Sequence, residues 1–184
     1  LSGLDMGAAV NAEAELKMAD MFDICHGGGL DLCALGLAEI DAMGNVNVSK
    51  FNGRVTGPGG FIDLAQHTKK LILMGTFTAG GLREHCEDGK LVIDREGKYQ
   101  KFKANIEQVT FSGDYAAAHG QHVLVVTERA VFCLTPQGLM LTEIAPGVDL
   151  ERDVLGQMEF RPVIADDLHL MDSRIFQPDP MGIT

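Results

Sequence analysis

Phe51-Asn-Gly-Arg-Val-Thr-Gly-Pro-Gly-Gly60, Phe61-Ile-Asp-Leu-Ala-Gln-His-Thr68 and Lys70-Leu-Ile-Leu-Met-Gly-Thr-Phe77 follow one another almost without a gap. The first piece carries four glycines and a proline, which is typical of a loop. The second favours a helix. The third has no polar residue from Leu71 to Met74, which predicts a strand buried on both faces. Loop, helix and buried strand in this order predict a parallel β-α-β element.

Toward the amino terminus, the sequence predicts further alternating elements. Residues 7–19 are rich in Ala, Glu, Leu and Met and predict a helix,. The apolar run 21–25 stops at the glycines 27–29, which predicts a strand followed by a turn. Residues 30–40 fit a strand or a helix equally well, and residues 46–48 predict a short strand. These elements extend the α/β pattern on the amino-terminal side of the opening stretch.

Toward the carboxyl terminus, strands dominate. Residues 90–102 alternate around Glu96-Gly97 and predict a hairpin,. Asp149 is a suitable cap for a short helix that reaches Met158, and the tail from Phe176 is expected to be irregular. Further strands are predicted at 108–111, 123–127, 130–134 and 139–144. We therefore expect one α/β domain over residues 1–184, with an open, mixed, largely parallel sheet and flanking helices.

Composition narrows the possible partners. The formal charge of −11 argues against nucleic acid and anionic membranes,, and no apolar run is long enough to span a bilayer. Eight of the fifteen basic residues lie between 69 and 103, which fits an anionic ligand or a solvated hairpin face. The four cysteines form no C-x-x-C, so free thiols in a reducing, cytoplasmic compartment are expected. His119 and His122 have no further ligands in sequence, so no metal site is predicted.

Nucleotide-binding and hydrolase motifs are absent. G-x-G-x-x-G fails at Gly27 and at Gly57, because Leu32 and Ile62 occupy the sixth position,. No G-x-S-x-G occurs. What remains are two glycine loops, each after a predicted strand. If those strands are parallel, both loops lie at the carboxyl edge of the sheet, where successive N–H groups can bind an anion. The alternative is that both are tight turns without a ligand.

Several stretches together resemble the C-terminal part of family I coenzyme A transferases of the acetate/propionate/butyrate type. No single word is diagnostic, but the words follow in the same order along nearly the whole chain. They are Gly7-Ala-Ala-Val-Asn11, Gly27-Gly-Gly-Leu-Asp-Leu32, Gly44-Asn-Val-Asn-Val-Ser-Lys-Phe51, Gly57-Pro-Gly-Gly-Phe-Ile-Asp63, Gly75-Thr-Phe-Thr-Ala-Gly-Gly81, Thr127-Glu-Arg-Ala-Val-Phe132, Leu141-Thr-Glu-Ile-Ala-Pro-Gly147 and Leu170-Met-Asp-Ser-Arg-Ile-Phe176.

The resemblance implies transfer of CoA between carboxylic acids through a glutamyl-CoA thioester, with CoA as a substrate and no permanently bound cofactor. It implies that the backbone N–H groups of Gly59 and Gly60 face the thioester carbonyl or the pantetheine arm. It places Gly28 and Gly29 beside the glutamate. Asn47 and Lys50 are further candidates for polar contacts, with a strand-surface role as the alternative.

The stretches that carry the resemblance do not contain the nucleophile of the family. The family's glutamate lies in a Glu-x-Gly segment before the stretch that matches Ser2-Gly3-Leu4, and Glu13 and Glu15 do not match it. No catalytic residue is therefore assigned in this chain. The implied partners are the N-terminal part of the same enzyme, an acyl-CoA, a short-chain carboxylate and further copies in a homo-oligomer. The alternative is a module with this fold and no turnover. A sugar-phosphate isomerase would need acid/base carboxylates in a phosphate site, and none is visible.

Overall fold

The computed structural model describes residues 11–183, and a six-stranded sheet lies at its centre. In chain order the strands are β1 Leu32–Gly36, β2 Glu39–Ile40, β3 Val46–Asn47, β4 Lys50–Phe51, β5 Arg54–Val55, β6 Lys70–Met74, β7 Thr78–Ala79, β8 Arg83–Glu87, β9 Lys90–Arg95, β10 Tyr99–Gln100, β11 His122–Val126, β12 Ala130–Thr135, β13 Gly138–Ile144 and β14 Val163–Leu170. The α-helices are α1 Met18–Ile24, α2 Phe61–Ala65 and α3 Gly113–Ala118. Shorter helical turns cover Cys25–Gly29, Leu150–Val154, Leu155–Gln157 and Ser173–Phe176.

The main sheet has the order β1-β6-β11-β12-β13-β14. β1, β6 and β11 are parallel neighbours, as are β13 and β14, whereas β12 runs antiparallel to both of its neighbours. The predicted mixed, largely parallel sheet with flanking helices is confirmed. The β-α-β prediction is confirmed as well, because β1 connects through α2 to the parallel strand β6.

One face of this sheet forms the main hydrophobic core. Leu71 and Leu73 of β6 and Val125 of β11 are fully buried there, beneath α2 and α3. The prediction that the β6 strand is buried on both faces is wrong. Its other face carries Lys70, Ile72 and Met74, of which the first and last are exposed. An apolar run shows that a strand is central without showing that both of its faces are covered.

The amino-terminal elements differ from the prediction. Residues 11–17 are not helical, and residues 7–10 lie outside the described residues. The predicted strand at 21–25 is wrong, because Met18–Ile24 is an α-helix that continues into the Cys25–Gly29 turn. The run Met-Phe-Asp-Ile-Cys is short enough to fit either structure, and packing decides it. The undecided run 30–40 contains β1 and β2.

The predicted hairpin around Glu96-Gly97 is also wrong. β9 pairs with β8 across Asp88-Gly89, and β10 pairs with β7 instead. Asp88 and Gly89 have φ angles of 51° and 74°, which is the left-handed conformation that a tight hairpin turn requires. Asp-Gly is the stronger hairpin signal, since both of its residues tolerate positive φ.

The last third agrees better. The strands predicted at 123–127, 130–134 and 139–144 correspond to β11, β12 and β13, while residues 108–111 form only a single bridge from Phe111 to Val46. Asp149 caps the following turn, since its side chain accepts a hydrogen bond from the N–H of Arg152. β14 was not predicted. Among residues 11–183, no helix is both long and apolar enough to cross a membrane.

Candidate functional site

The parallel strands β1, β6 and β11 end side by side at one edge of the sheet. The N–H of Leu37 donates to the carbonyl of Met74 at 2.7 Å, and the N–H of Gly75 donates to the carbonyl of Val126 at 3.2 Å. The residues that follow the three strands are thus held together. Ligands of open α/β sheets bind outside such carboxyl ends, so this edge is the first place to look for a site.

A buried arginine organises this edge. The side chain of Arg129 is 0% exposed and donates to both carboxylate oxygens of Glu96, at 2.7 and 3.0 Å. It also donates to Glu128 at 2.6 Å and to the carbonyl of Asp153 at 3.0 Å. Its guanidinium lies 5.1 Å from the ring centre of Phe77. A buried charge must be paired and hydrogen-bonded. The guanidinium of Arg129 meets this need through these groups and thereby holds them in place.

The carboxylates in this network tie the neighbouring loops to the edge. Glu128 accepts from the N–H of Phe77 at 2.8 Å, and Glu96 accepts from the hydroxyl of Thr78. Burial alone would raise the pKa of Glu96, but the hydrogen bonds from Arg129 and Thr78 and the arginine charge outweigh burial and lower the pKa. Glu96 therefore stays ionised and acts as an acceptor.

Lys101 reaches the same edge from the chain after β10. It is only 7% exposed, and its ammonium donates to the carbonyl of Thr76 at 2.8 Å. A Cβ on Gly75 would lie 2.7 Å from this nitrogen, so the glycine leaves the space that the ammonium occupies. Burial lowers the pKa of Lys101, and the nearby Glu128 opposes the shift only in part. A buried cation thus lies beside the end of β6.

Lys101 also lines a cavity of about 930 Å³ between β2, the β4–β5 hairpin and the chain around β10. That volume is in the range of pockets for small molecules and cofactors. The wall carries charges of both signs, and the Lys103–Glu159 ion pair closes one side of it. The charged lining residues are Lys98, Lys101, Lys103, Glu39, Glu107 and Glu159.

Asn47 and Lys50, two of the predicted site residues, lie behind this cavity. Asn47 is fully buried, and its amide nitrogen donates to Glu39 at 2.8 Å and to the carbonyl of Lys50 at 2.6 Å. Its amide oxygen accepts from the N–H groups of Ser49 and Lys50, each at 3.1 Å. Both ends of the amide are engaged within the protein. A ligand contact by either residue stays a prediction, and the geometry favours a positioning role for Asn47.

Gly28 and Gly29 lie at the opposite end of the sheet. The segment before them is a helix and not a strand, so this loop precedes β1, and the expectation that both glycine loops lie at the carboxyl edge is wrong for it. Gly28 has a φ of 85°, and an added Cβ would lie 4.0 Å from the carbonyl of His67. A Cβ on Gly29 would meet the carbonyl oxygen of Ile24 at 2.7 Å. Gly29 thus permits the close turn, and the predicted contact of both glycines with a substrate remains a prediction.

Gly59 and Gly60 lie in an exposed loop on the connection from β1 to β6, immediately before α2. Gly59 has a φ of 56° and open space around it, whereas a Cβ on Gly60 would lie 2.6 Å from the ring of Phe22 in α1. Within residues 11–183, neither glycine N–H has a hydrogen-bond partner. Two adjacent, unpaired N–H groups are available to an anion or an oxyanion.

Metal-binding residues do not cluster in the part of the chain that the structure describes. Over residues 11–183, no three His, Cys, Asp or Glu side chains are placed to hold a metal ion. Nδ1 of His119 lies 2.8 Å from the carbonyl oxygen of Tyr115, which is a local contact within the end of α3.

Comparison with known proteins decides the family. No protein-family model matches the chain. An acetate CoA-transferase of Escherichia coli K12, YdiF, is 52% identical over 180 residues, which cover 98% of this chain and 34% of that protein. A caffeate CoA-transferase of Acetobacterium woodii is 49% identical over 181 residues, which cover 94% of this chain and 34% of that protein. The chain matches a part of the family I coenzyme A transferases.

Solved CoA-transferase structures agree with the fold. The apoenzyme of acyl-CoA transferase YdiF from E. coli O157:H7 superposes with a TM-score of 0.93 at 52% identity, covering 97% of this chain and 35% of that chain. A thioester complex of the same enzyme with CoA gives 0.92 at 51% identity, covering 95% of this chain and 34% of that one. The chain therefore spans about a third of the length of these relatives.

A smaller relative shows how the family divides. The beta subunit of an acetate CoA-transferase of E. coli K12 is 33% identical over 158 residues, which cover 85% of this chain and 62% of that subunit. The matched region of the transferase thus occurs in a beta subunit as well as in longer chains.

Sequence reasoning missed the charged cluster at the carboxyl edge of the sheet. Glu96, Lys101, Glu128 and Arg129 come from separate segments, and in a sequence each looks like an ordinary surface charge. The only available signal was the word Thr127-Glu-Arg-Ala-Val-Phe132, in which Glu and Arg adjoin at the start of a strand. The basic region 69–103 is largely exposed, as a solvated face would be, with Lys101 as the buried exception.

Proposed function

We propose that the complete protein transfers CoA between an acyl-CoA and a short-chain carboxylate, and that this chain is its C-terminal part. The observation that carries the proposal is the 52% identity to an acetate CoA-transferase over 98% of the chain. The thioester complex with CoA of a relative 51% identical supports CoA as a substrate. No permanently bound cofactor is part of the proposal.

The proposed chemistry has two covalent stages. A glutamate carboxylate attacks the thioester carbonyl and expels CoA thiolate, which leaves an acyl-glutamyl anhydride. The thiolate then attacks the glutamyl carbonyl and releases the first carboxylate, so that CoA is bound as a glutamyl thioester. An incoming carboxylate takes the CoA by the reverse steps. Each attack builds negative charge on a carbonyl oxygen, and preorganised N–H donors stabilise such charge.

The carboxylates of the candidate site support a nucleophile from outside this chain. A nucleophilic glutamate must be free to attack, and five acidic side chains at the cavity and in the Arg129 network already accept hydrogen bonds. Glu13 and Glu15 are exposed in the segment before α1, as expected of surface charges. The engaged pairs are Glu39 with Asn47, Glu96 with Arg129, Glu107 with the N–H of Gly53, Glu128 with Arg129, and Glu159 with the N–H of Ala104.

The N–H groups of Gly59 and Gly60 are the proposed oxyanion donors. Their lack of partners within residues 11–183 supports this role, because unpaired backbone donors next to a solvent-filled space are poised for an anion. We propose that Gly28 and Gly29 line the glutamate pocket from the other side of α2, and that Lys50 contributes a polar contact that Asn47 positions.

A pair of double variants tests the Gly60 donor in the complete enzyme. Gly60→Ala alone is ambiguous, because its Cβ would strike Phe22. In a Phe22→Ala background that obstacle is gone. There, Gly60→Ala keeps the N–H, while Gly60→Pro removes it at a φ of −86°, which is near the value that proline requires,. We expect kcat to be about 100-fold lower for the proline variant, or about 3 kcal/mol.

The controls separate a chemical loss from a folding defect. The two double variants should unfold at similar temperatures, and equal turnover in both would contradict the oxyanion role of Gly60. Intact mass of the complete enzyme after mixing with acetyl-CoA should show one covalently bound CoA. A complete enzyme that turns over without this adduct would rule out the glutamyl thioester.

The remaining proposals concern the setting of the chain. We propose that residues 1–184 form one domain, since a single sheet runs from β1 to β14, and that the enzyme is a cytoplasmic homo-oligomer. The N-terminal part of the enzyme is the proposed partner. The second candidate function is a module of the same fold without turnover. Intact mass and N-terminal sequencing of the native protein distinguish the two, because only the enzyme needs a polypeptide that carries Glu-x-Gly.

A further inference from the structure

Lys101 is a buried cation that the proposed chemistry does not use. It is 7% exposed, and its ammonium donates one hydrogen bond, to the carbonyl of Thr76 at 2.8 Å. None of the ion pairs among residues 11–183 includes it. Arg129, the other buried basic residue in that part of the chain, contacts two carboxylates directly. A buried charge is costly unless it is paired, so the ammonium of Lys101 lacks the anion that would balance it.

Glu128 is an acidic neighbour of Lys101, and its oxygens are already engaged. It accepts from the guanidinium of Arg129 at 2.6 Å and from the N–H of Phe77 at 2.8 Å. Burial lowers the pKa of Lys101, and the charge of Glu128 opposes that shift only in part. The attraction within the protein is therefore weaker than the cost of desolvating the ammonium. The positive charge of Lys101 is only partly balanced by Glu128.

The ammonium adjoins a cavity with room for a ligand. Lys101 lines the cavity of about 930 Å³ between β2, the β4–β5 hairpin and the chain around β10. Lys98 and Lys103 line it too, but Lys98 is exposed to water and Lys103 pairs with Glu159. Lys101 is thus the buried and unpaired cation of this wall. The acidic residues of the wall accept hydrogen bonds from protein donors, namely Glu39 from Asn47, Glu107 from the N–H of Gly53 and Glu159 from the N–H of Ala104.

Apolar groups beside the ammonium indicate the kind of anion. A Cβ on Gly75 would lie 2.7 Å from Nζ of Lys101 and 3.6 Å from Cβ of Leu37, so both groups flank the same point. Leu37, Ala38 and Ala79 all line the cavity. One cation next to alkyl groups fits one carboxylate with a short apolar chain. A phosphate or a dicarboxylate would bring more negative charge than one lysine balances.

We propose that Lys101 binds the carboxylate group of the free short-chain acid, while Leu37 and the neighbouring alanines contact its alkyl chain. This assignment rests on the proposed function, since it names a group for the acid that the enzyme would receive or release. The acid carries a full negative charge before it takes CoA and after it leaves the anhydride, whereas the acyl group of a thioester is neutral. The ammonium therefore favours the free acid over the thioester.

Binding of acetate to the complete enzyme, without CoA, tests the assignment. Lys101→Met removes the charge from the cavity wall, and Lys98→Met, at an exposed lysine of the same wall, is the matched control. We expect the acetate Kd to rise at least ~10-fold in Lys101→Met, which is the loss of one hydrogen bond to a charged group. It should stay unchanged in Lys98→Met. Acetamide, the neutral isostere, should bind the wild type and Lys101→Met alike.

A second measurement uses the wild-type enzyme and does not depend on the folding of a variant. Reductive methylation followed by peptide mass spectrometry reports how accessible each lysine amine is. Acetate at ten times its Kd should slow the methylation of Lys101 by about 10-fold, because it occupies the site by mass action. Acetamide at the same concentration should not. Lys17, which is exposed ahead of α1, should react at the same rate with either additive.

The outcomes are distinct. An equal acetate Kd in Lys101→Met and the wild type would overturn the proposal. Methylation of Lys101 that acetate does not slow would also overturn it, in favour of a carboxylate supplied by the rest of the polypeptide. The covalent CoA adduct is measured separately. An enzyme that forms the adduct but binds acetate without Lys101 contradicts this assignment alone, and one that binds acetate through Lys101 but forms no adduct contradicts the proposed function alone.

Discussion

Replacing Arg129 by methionine should destabilise the protein strongly, because it leaves two carboxylates without their cation. The change removes the contacts of 2.7 and 3.0 Å to Glu96 and of 2.6 Å to Glu128. Removing one partner of a buried ion pair costs about 3–5 kcal/mol. The side chain of Glu96 is 28% exposed and can recover some hydration, so the low end, about 3 kcal/mol, is expected.

The expected loss corresponds to a clear thermal shift. For a chain of this size, about 3 kcal/mol lowers the Tm by roughly 6–12 °C, which circular dichroism measures easily. Arg161→Met is the matched control. Arg161 pairs with Glu151 at 3.4 Å, and the two side chains are 65% and 70% exposed. Water already solvates such an exposed pair, so its loss should change the Tm little. The two arginines are thus removed by the same substitution in opposite environments.

The pH dependence gives the reasoning its sharpest test. In the wild type the pKa of Glu96 is lowered in the folded state. Ionised Glu96 therefore adds to the free energy of unfolding at any pH above its unfolded-state pKa. That stabilisation is lost as the pH falls through the folded-state pKa. In Arg129→Met burial remains without the cation, so the pKa of Glu96 rises and the variant loses stability with rising pH. The Tm gap should therefore be widest near neutral pH and narrow toward about pH 4. A gap below about 2 °C at neutral pH, or one that does not change with pH, would refute the role of Arg129.

Three further outcomes are expected. Because burial lowers the pKa of Lys101, wild-type stability in urea should rise relative to Lys101→Met as pH increases toward 10.5,; a constant difference would contradict the burial of the cation. Gly75→Ala should cost about 1–3 kcal/mol by placing a methyl against Lys101,, whereas Gly36→Ala, on the adjacent strand with open space, should be nearly neutral; equal effects would argue against the close approach. Cys86 is exposed, and burial raises the pKa of Cys133. Iodoacetamide should therefore modify Cys86 first, as followed by peptide mass spectrometry, and earlier modification of Cys133 would contradict this order.

Local sequence signals predicted the parallel element of this fold well. The glycine-rich loop, α2 and β6 stand where residues 57–77 indicated, because loop, helix and strand each have a strong local preference there. The sequence could not predict which strands pair with each other, because pairing depends on residues far apart in sequence. β14, with Asp166 and Asp167 at its centre, has too weak an alternation to be recognised without β13 beside it.

The wrong predictions came from short sequence patterns that fit both a strand and a helix. Residues 21–25 have the composition of a strand, yet they form a helix in which Phe22 packs against Gly60. That contact also brings α1 beside the second glycine loop, and no local pattern contains it. The first glycine loop was consequently assigned to the wrong end of the sheet, since its position followed from the supposed strand.

The candidate site was predictable only in its backbone part. Gly59 and Gly60 could be found because a run of glycines in the sequence itself indicates an open backbone. Arg129 and Lys101 could not, because burial distinguishes them from other basic residues and burial is a property of the folded chain. The resemblance to CoA-transferases supplied a word that contains Arg129 without indicating that this arginine is buried.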